Sequence, residues 1–340
     1  MHSSGVLFRY DLKIVQNLIF GYCMQTLQSP IFRILSWLIK IAIVIAAAFY
    51  IYQKVFLRKD SLVFSGHIQA SFHAHRWLFV SAFLLLFVNW ALEAFKWKLL
   101  LRKIIPITFF KSFRSILAGV TTGVFTPNRA GEFGGRVFDL EEGHRMEAAL
   151  LSFAGGLIQL SVTILAALPA IFMDRMSSVY LGEHIRLSLL LLVITLGLCA
   201  VLWCFKDRIA PKAKPFFRLF PAYPWLVWLK VFVLSFFRYA VFSFQFYLLL
   251  KGFGIELSAG QACLSIPLTF FAGTVIPTFA LSEIAVRGSV SVLFIGVYSA
   301  DSPAILSASF LLWIINIALP ALAGSIFVLR INPFTKLESK

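Results

Sequence analysis

Long apolar runs, separated by short basic or Gly/Pro-rich stretches, dominate the pattern of this chain. A helix needs roughly 18–20 apolar residues to cross a bilayer. Six stretches meet or approach that length, at about 35–57, 77–101, 148–173, 187–205, 226–250 and 304–329. Ahead of them, residues 1–34 place Arg9, Lys13 and Arg33 among Val6, Leu7, Ile14, Val15, Leu18 and Ile19. That spacing suits either a helix lying in the interface or an irregular cytoplasmic lead-in.

Two further apolar stretches break the pattern. The run at about 113–126 would extend only about 21 Å as a helix, against a hydrocarbon core of about 30 Å. Pro127 and Gly131 close it, and charge returns over 128–147. In the second half, Gly260, Pro267, Gly273, Pro277 and Gly288 interrupt the run at about 257–299. Broken backbone is tolerated at membrane depth only where protein or water surrounds it, so both stretches read as re-entrant hairpins. The predicted fold is all-α, a polytopic integral membrane protein of about six full spans plus two opposed hairpins.

Pro127 and Pro277 each fall roughly 50 residues after the start of the preceding span. Three full spans separate the hairpins, so they enter from opposite faces. Paired, broken segments of this kind mark an inverted-topology repeat with a midplane binding site. The domains expected are the lead-in 1–34, one transmembrane domain over 35–330 with repeats at about 77–173 and 226–329, and a tail at 331–340.

Composition agrees with a membrane class and narrows it. The chain is 60% hydrophobic and 14% charged, where soluble domains average about 25% charged residues. Its formal charge of +16 sits mainly at span ends and in loops, the positive-inside arrangement, so nucleic acid is not an expected partner. The basic stretches around 96–114 and 206–224 both belong on the cytoplasmic side, and six spans put both termini there, in the cell membrane. The 58–76 segment, with His67, His73 and His75, is expected to be an outside polar loop. Cys23, Cys199, Cys204 and Cys263 match no metal or disulfide spacing, and neither a metal nor a cofactor is expected.

The candidate chemistry lies in the two breaks. Pro127, Asn128, Arg129, Glu132 and Arg136 are answered by Pro277, Glu283 and Arg287, and the Glu–Arg spacing of four residues puts each pair on one helix face. Charge at the bilayer centre costs about 2.5–3.5 kcal/mol on insertion scales, so its retention asks for a reason. Arginines offer forked, permanent donors to a phosphate or carboxylate, and amides freed at a break add more. The structural alternative is that each pair only ties its hairpin to the bundle. Arg238, mid-span without an acidic neighbour on its own face, should turn inward towards Glu132, Glu283 or a substrate anion. Glu93 reads as a span-end residue that snorkels or pairs with Lys96, within an aromatic and basic end at headgroup level. Gln245 suits a hydrogen bond between helices, and Gly155 with Gly156 close helix packing.

The string Thr126-Pro127-Asn128-Arg129-Ala130-Gly131-Glu132 resembles the T-P-G-R-A-G-E signature of the lysylphosphatidylglycerol synthase transmembrane family, the flippase-like domain of multiple-peptide-resistance factors. The resemblance extends to the span with Arg238, to Gly254 and to Pro277 with Glu283, over most of 77–329. Asn128 replaces the usual glycine, Ala280-Leu281 replaces a Gly-Gly, and the Asp-Arg pair common after the first motif is absent. The resemblance implies movement of a lipid between leaflets, and the lack of a soluble aminoacyl-transfer segment implies no lipid synthesis. The expected partners are membrane lipids with an anionic headgroup, together with a second copy of the chain or a separate lipid-modifying enzyme. Two other readings stay open: an intramembrane enzyme with Glu132 or Glu283 as general base, and a secondary transporter of a small anion. The enzyme reading lacks the helpers expected of it, such as H-E-x-x-H or G-x-S-x-G.

Overall fold

A computed structural model describes residues 61–124, 126, 129–172, 223–276 and 280–330. The expected spans at 35–57 and 187–205, the lead-in, the tail, Pro127, Asn128 and Pro277 lie outside the described residues, as do Cys23, Cys199 and Cys204. Among the described residues the chain is helical without strands: α1 (Ser61–Leu101), α2 (Phe109–Val124), α3 (Gly131–Gly135), α4 (Glu142–Phe172), α5 (Trp225–Gly252), α6 (Ala259–Val275), α7 (Ala280–Ile295), α8 (Ser302–Trp313) and α9 (Leu319–Arg330). Among the described residues, four stretches are long and apolar enough to cross a membrane: Ala74–Leu101, Gly143–Ile171, Trp225–Gly252 and Ser302–Val328. They coincide with the four expected spans that fall within the described residues. This is an all-α membrane protein.

The 58–76 segment departs from its expected form. It is helical from Ser61, and the run joins the span through a kink at His75 (φ −129°, ψ 34°). Polar residues and three histidines signalled a loop there, but the helix is interrupted only at the His75 kink. The charged return after the first break is also shorter than expected, because α4 begins at Glu142 rather than near 148.

The helices pack in crossed pairs. α1 lies along α5, α2 packs mainly on α9, and α6 packs mainly on α4. Each short broken helix therefore rests on a span from the other half of the chain. Small residues permit the first of these contacts. A Cβ on Gly324 would lie 2.5 Å from the Leu117 carbonyl carbon, and Thr121 Oγ1 donates to the Ala321 carbonyl at 2.8 Å. The α1–α5 pair is stitched by polar groups as well: Gln245 Nε2 donates to the Ala82 carbonyl at 2.6 Å. Gln245 also accepts from Asn316 Nδ2 at 2.9 Å, so it bonds between helices as expected.

Local sequence explains where the helices stop. Gly254, at φ +82°, ends α5, and the Ile255 amide reaches back to the Leu250 carbonyl at 2.9 Å. That is a Schellman closure, which needs a left-handed residue and so favours glycine. Ser258 caps α6 through a reciprocal capping box with Gln261. Thr108 accepts from the Lys111 amide at 3.3 Å ahead of α2, the equivalent place in the first half. Between α8 and α9 the ladder widens into a π turn over Ile314–Ala318, just before Pro320, which has no N–H to continue it. Tyr223, ahead of α5, donates its hydroxyl to the Leu100 carbonyl at 2.7 Å. Burial pushes that phenol up to about 12, so it remains a donor at physiological pH.

Candidate functional site

The first break is held by threonines. Thr126 Oγ1 accepts from the Gly131 amide at 2.7 Å and donates to the Gly123 carbonyl at 3.0 Å. Thr122 Oγ1 donates to the Gly131 carbonyl at 2.8 Å. These bonds satisfy backbone groups that a broken helix leaves orphaned. Inside the turn, Arg129 adopts φ 57°. A left-handed conformation costs an ordinary residue about 1–2 kcal/mol, and such strain tends to gather at functional sites.

α3 then folds back onto α2 closely enough that a Cβ on Gly119 would sit 2.6 Å from Arg136 Cγ. Ser115 Oγ donates to the Arg136 carbonyl and accepts from Trp97 Nε1 at 3.2 Å. Arg136 is thereby fixed at both its backbone and its stem.

The charges form a chain. Glu132 pairs with Arg129 and with Arg136 Nη2 at 3.4 Å. Arg136 Nη1 reaches Glu93 Oε1 at 2.7 Å. The other oxygen of Glu93 meets Lys96 Nζ at 2.7 Å and Arg238 Nη1 at 3.1 Å. Arg238 also lies over the Trp90 ring, 5.3 Å from its centroid, and Gln159 Oε1 accepts from it at 3.5 Å. In the second half, Arg287 pairs with Glu283 at 2.9 Å. Both four-residue Glu–Arg spacings thus close as ion pairs.

Two expectations are corrected here. Glu93 does pair with Lys96, as one of its two readings had it, but it does not snorkel: both are 2% exposed and Trp97 is fully buried. The face with Glu93, Lys96 and Trp97 turns into the bundle, while Phe95 and Lys98 on the other face stay exposed. Glu93 lies eight residues short of Leu101, about 12 Å along the axis, and that count was the available signal. Arg238 does turn inward, but its carboxylate is Glu93 rather than Glu132 or Glu283.

These side chains line one cavity of about 350 Å³. Arg129, Glu132 and Arg136 from the first break, Arg287 from the second, and Glu93, Lys96 and Arg238 from α1 and α5 all reach it. Asn89, Gln159 and Asn316 are also on its wall. Asn89, Gln159, Arg238 and Asn316 lie within two residues of the middle of their respective spans. The cavity is therefore at mid-membrane depth. Gly155 supports close packing, as its Cβ would lie 3.1 Å from Leu100, while Gly156 lines the cavity beside Phe133.

Five cations, Lys96, Arg129, Arg136, Arg238 and Arg287, face three carboxylates, Glu93, Glu132 and Glu283, which leaves two positive charges in excess. The Nε atoms of Arg129, Arg136 and Arg238, with Trp90 Nε1 and Ser152 Oγ, are buried without a hydrogen-bond partner among the described residues. Buried donors rarely go unpaired. A set of them around a cationic cavity suits an acceptor-rich anion. No group of three metal-ligating residues occurs among the described residues.

The fold and site together define a polytopic helical membrane protein with a cationic cavity at the mid-length of its candidate spans, lined by those spans and by side chains near both breaks. The family model for the lysylphosphatidylglycerol synthase TM region matches residues 37–324. The chain belongs to that family, whose membrane domain is lipid-related. No curated protein and no solved structure matches it.

Proposed function

We propose that the protein moves an anionic-headgroup lipid between leaflets, with the headgroup in the mid-membrane cavity and the acyl chains outside it. The observation that carries this reading is the convergence of cationic side chains from both breaks on one cavity at the middle of the spans. Its volume of about 350 Å³ suits a headgroup and excludes a whole phospholipid. Membership of a lipid-related membrane family supports a lipid over a free anion as cargo.

On this reading Arg129 and Arg287 are gating contacts from the two hairpins, which act as opposed halves of an inverted repeat. Arg238 and Arg136, held by Glu93, form the fixed floor. The headgroup displaces water and engages the free Nε donors; its passage makes and breaks no covalent bond. The protein is thus a translocator in the cell membrane rather than an enzyme.

The test is leaflet exchange of fluorescent phosphatidylglycerol in reconstituted vesicles. Exchange above that of empty vesicles, lost in Arg136→Gln with the protein still inserted, is the expected result. Exchange equal to that of empty vesicles for every anionic phospholipid would overturn the reading. Lipid masses altered after incubation would instead identify an enzyme.

A further inference from the structure

A second groove lies apart from the cavity, at the end of the bundle where α1 finishes and α5 begins. It measures about 810 Å³ and shares no lining residue with the central cavity. Phe95, Lys98 and Arg102 come from one face of α1 and the turn after it, spaced three and four residues apart. Lys230 and Val233, one turn apart on α5, form the opposite wall with Leu229. The floor is apolar and the rim basic. Lys98, Arg102 and Lys230 are exposed, and among the described residues no acidic side chain lines the groove.

The position sets the depth. Lys98 and Arg102 bracket Leu101, the last residue of one candidate span, and Lys230 lies five residues inside Trp225, the first residue of another. Span ends sit at headgroup level, and lysine and arginine there place charge in the polar layer while their stems lie on apolar surface. Three unopposed cations above an apolar floor at that depth match the boundary between a phosphate and an acyl chain.

The geometry points to a regulatory or supply site for one anionic phospholipid of the leaflet at this end, separate from the translocation cavity. A segment of the chain itself is a poor occupant. Residues 206–222, which precede this end of α5, carry Lys206, Arg208, Lys212, Lys214 and Arg218 with a single acid, Asp207, and would be repelled by the rim. A zwitterionic lipid would meet the rim with a compensating cation of its own.

Photoactivatable phosphatidylglycerol in phosphatidylcholine vesicles carrying the full chain tests this. Label is expected on peptides covering 95–107 and 226–234. Near an anionic surface each lysine or arginine contributes roughly a fivefold factor in binding. Lys98→Gln/Arg102→Gln/Lys230→Gln should therefore lower that label at least about tenfold. The Lys98→Arg/Lys230→Arg variant should keep it, and so should Arg238→Gln in the central cavity. The substituted side chains are exposed, and an unchanged melting temperature of the triple-Gln variant confirms an intact fold. Equal labelling by photoactivatable phosphatidylcholine, or label unchanged in the triple-Gln variant, would overturn the proposal. So would a cysteine cross-link showing residues 206–222 seated in the groove.

Discussion

Glu93 and Arg136, 43 residues apart in sequence, meet at 2.7 Å with neither more than 8% exposed. This contact joins α1 to the return after the first break. Through it, the pair Arg129–Glu132 is connected to Lys96 and Arg238. One carboxylate thus neutralises part of three cations. Removing it leaves buried positive charge uncompensated, a change that costs about 3–5 kcal/mol when a buried pair is broken.

Glu93→Gln is accordingly expected to destabilise the protein by several kcal/mol, on the order of a broken buried ion pair, and to abolish leaflet exchange. The measurement is thermal unfolding in detergent alongside the vesicle assay. Adding Lys96→Met to that background removes one stranded cation and should recover part of the stability without recovering exchange. A Glu93→Gln variant as stable as wild type would show that the cluster is open to water.

Arg129 separates backbone cost from side-chain use. Its φ of 57° is a conformation glycine adopts freely, so Arg129→Gly relieves strain of about 1 kcal/mol. It also deletes a cavity cation. The expected outcome is stability equal to or above wild type with exchange lost, while Arg129→Ala loses both. Full exchange in Arg129→Gly would mean that the left-handed turn, rather than the guanidinium, is what matters there.

Gly119 tests whether the close return of α3 positions Arg136. A methyl at Gly119 would lie 2.6 Å from Arg136 Cγ and 2.9 Å from the Glu132 carbonyl oxygen, closer than side chains tolerate. Gly119→Ala should cost about 1–3 kcal/mol through overpacking and reduce exchange by displacing Arg136. Gly134→Ala, where an added Cβ meets nothing within 4 Å, is the matched control and should leave both unchanged.

The sequence made some of this legible and hid the rest for identifiable reasons. The spans are written in composition, because a lipid environment forces long apolar runs. The two Pro-to-Glu-to-Arg elements stood out because charge and helix breakers are both rare in such runs. Glu93 did not stand out, since the basic residues after it made the whole stretch resemble a span end; only its distance from Leu101 argued otherwise. Asn316 was invisible for a different reason. A single asparagine in an apolar helix carries no pattern, yet it accepts from Asn89 Nδ2 at 2.9 Å and donates to Gln245 at 2.9 Å. Pairings across 227 and 71 residues are tertiary facts, with no local spacing to announce them.

That asparagine network makes its own prediction. Asn316→Leu leaves the buried amides of Asn89 and Gln245 without this partner and should cost about 1–3 kcal/mol. Replacing Asn89 as well removes one of the stranded groups, so Asn89→Leu/Asn316→Leu should cost less than the two single changes added together. Thermal unfolding of the three variants completes the cycle. Strict additivity would mean that the asparagines do not bond to each other in the membrane.

The charge balance of the cavity predicts which headgroup passes. Five cations against three carboxylates leave the charge cluster at the cavity positive, and low-dielectric surroundings make that excess count for more than it would in water. Phosphatidylglycerol arrives with a negative headgroup and neutralises part of it. Its lysyl ester arrives net positive, so its phosphate must be held while its ammonium groups meet Lys96, Arg238 and Arg287. Glu93 is already engaged with three cations and Glu132 with two, which leaves little capacity to receive an ammonium. Unmodified phosphatidylglycerol should therefore exchange faster than the lysyl ester in the same vesicles. Arg287→Gln, which removes a cavity cation and the ion-pair partner of Glu283, should narrow the difference. Faster exchange of the lysyl ester by the wild-type chain would sink this assignment of headgroup charge while leaving the cavity itself as the route.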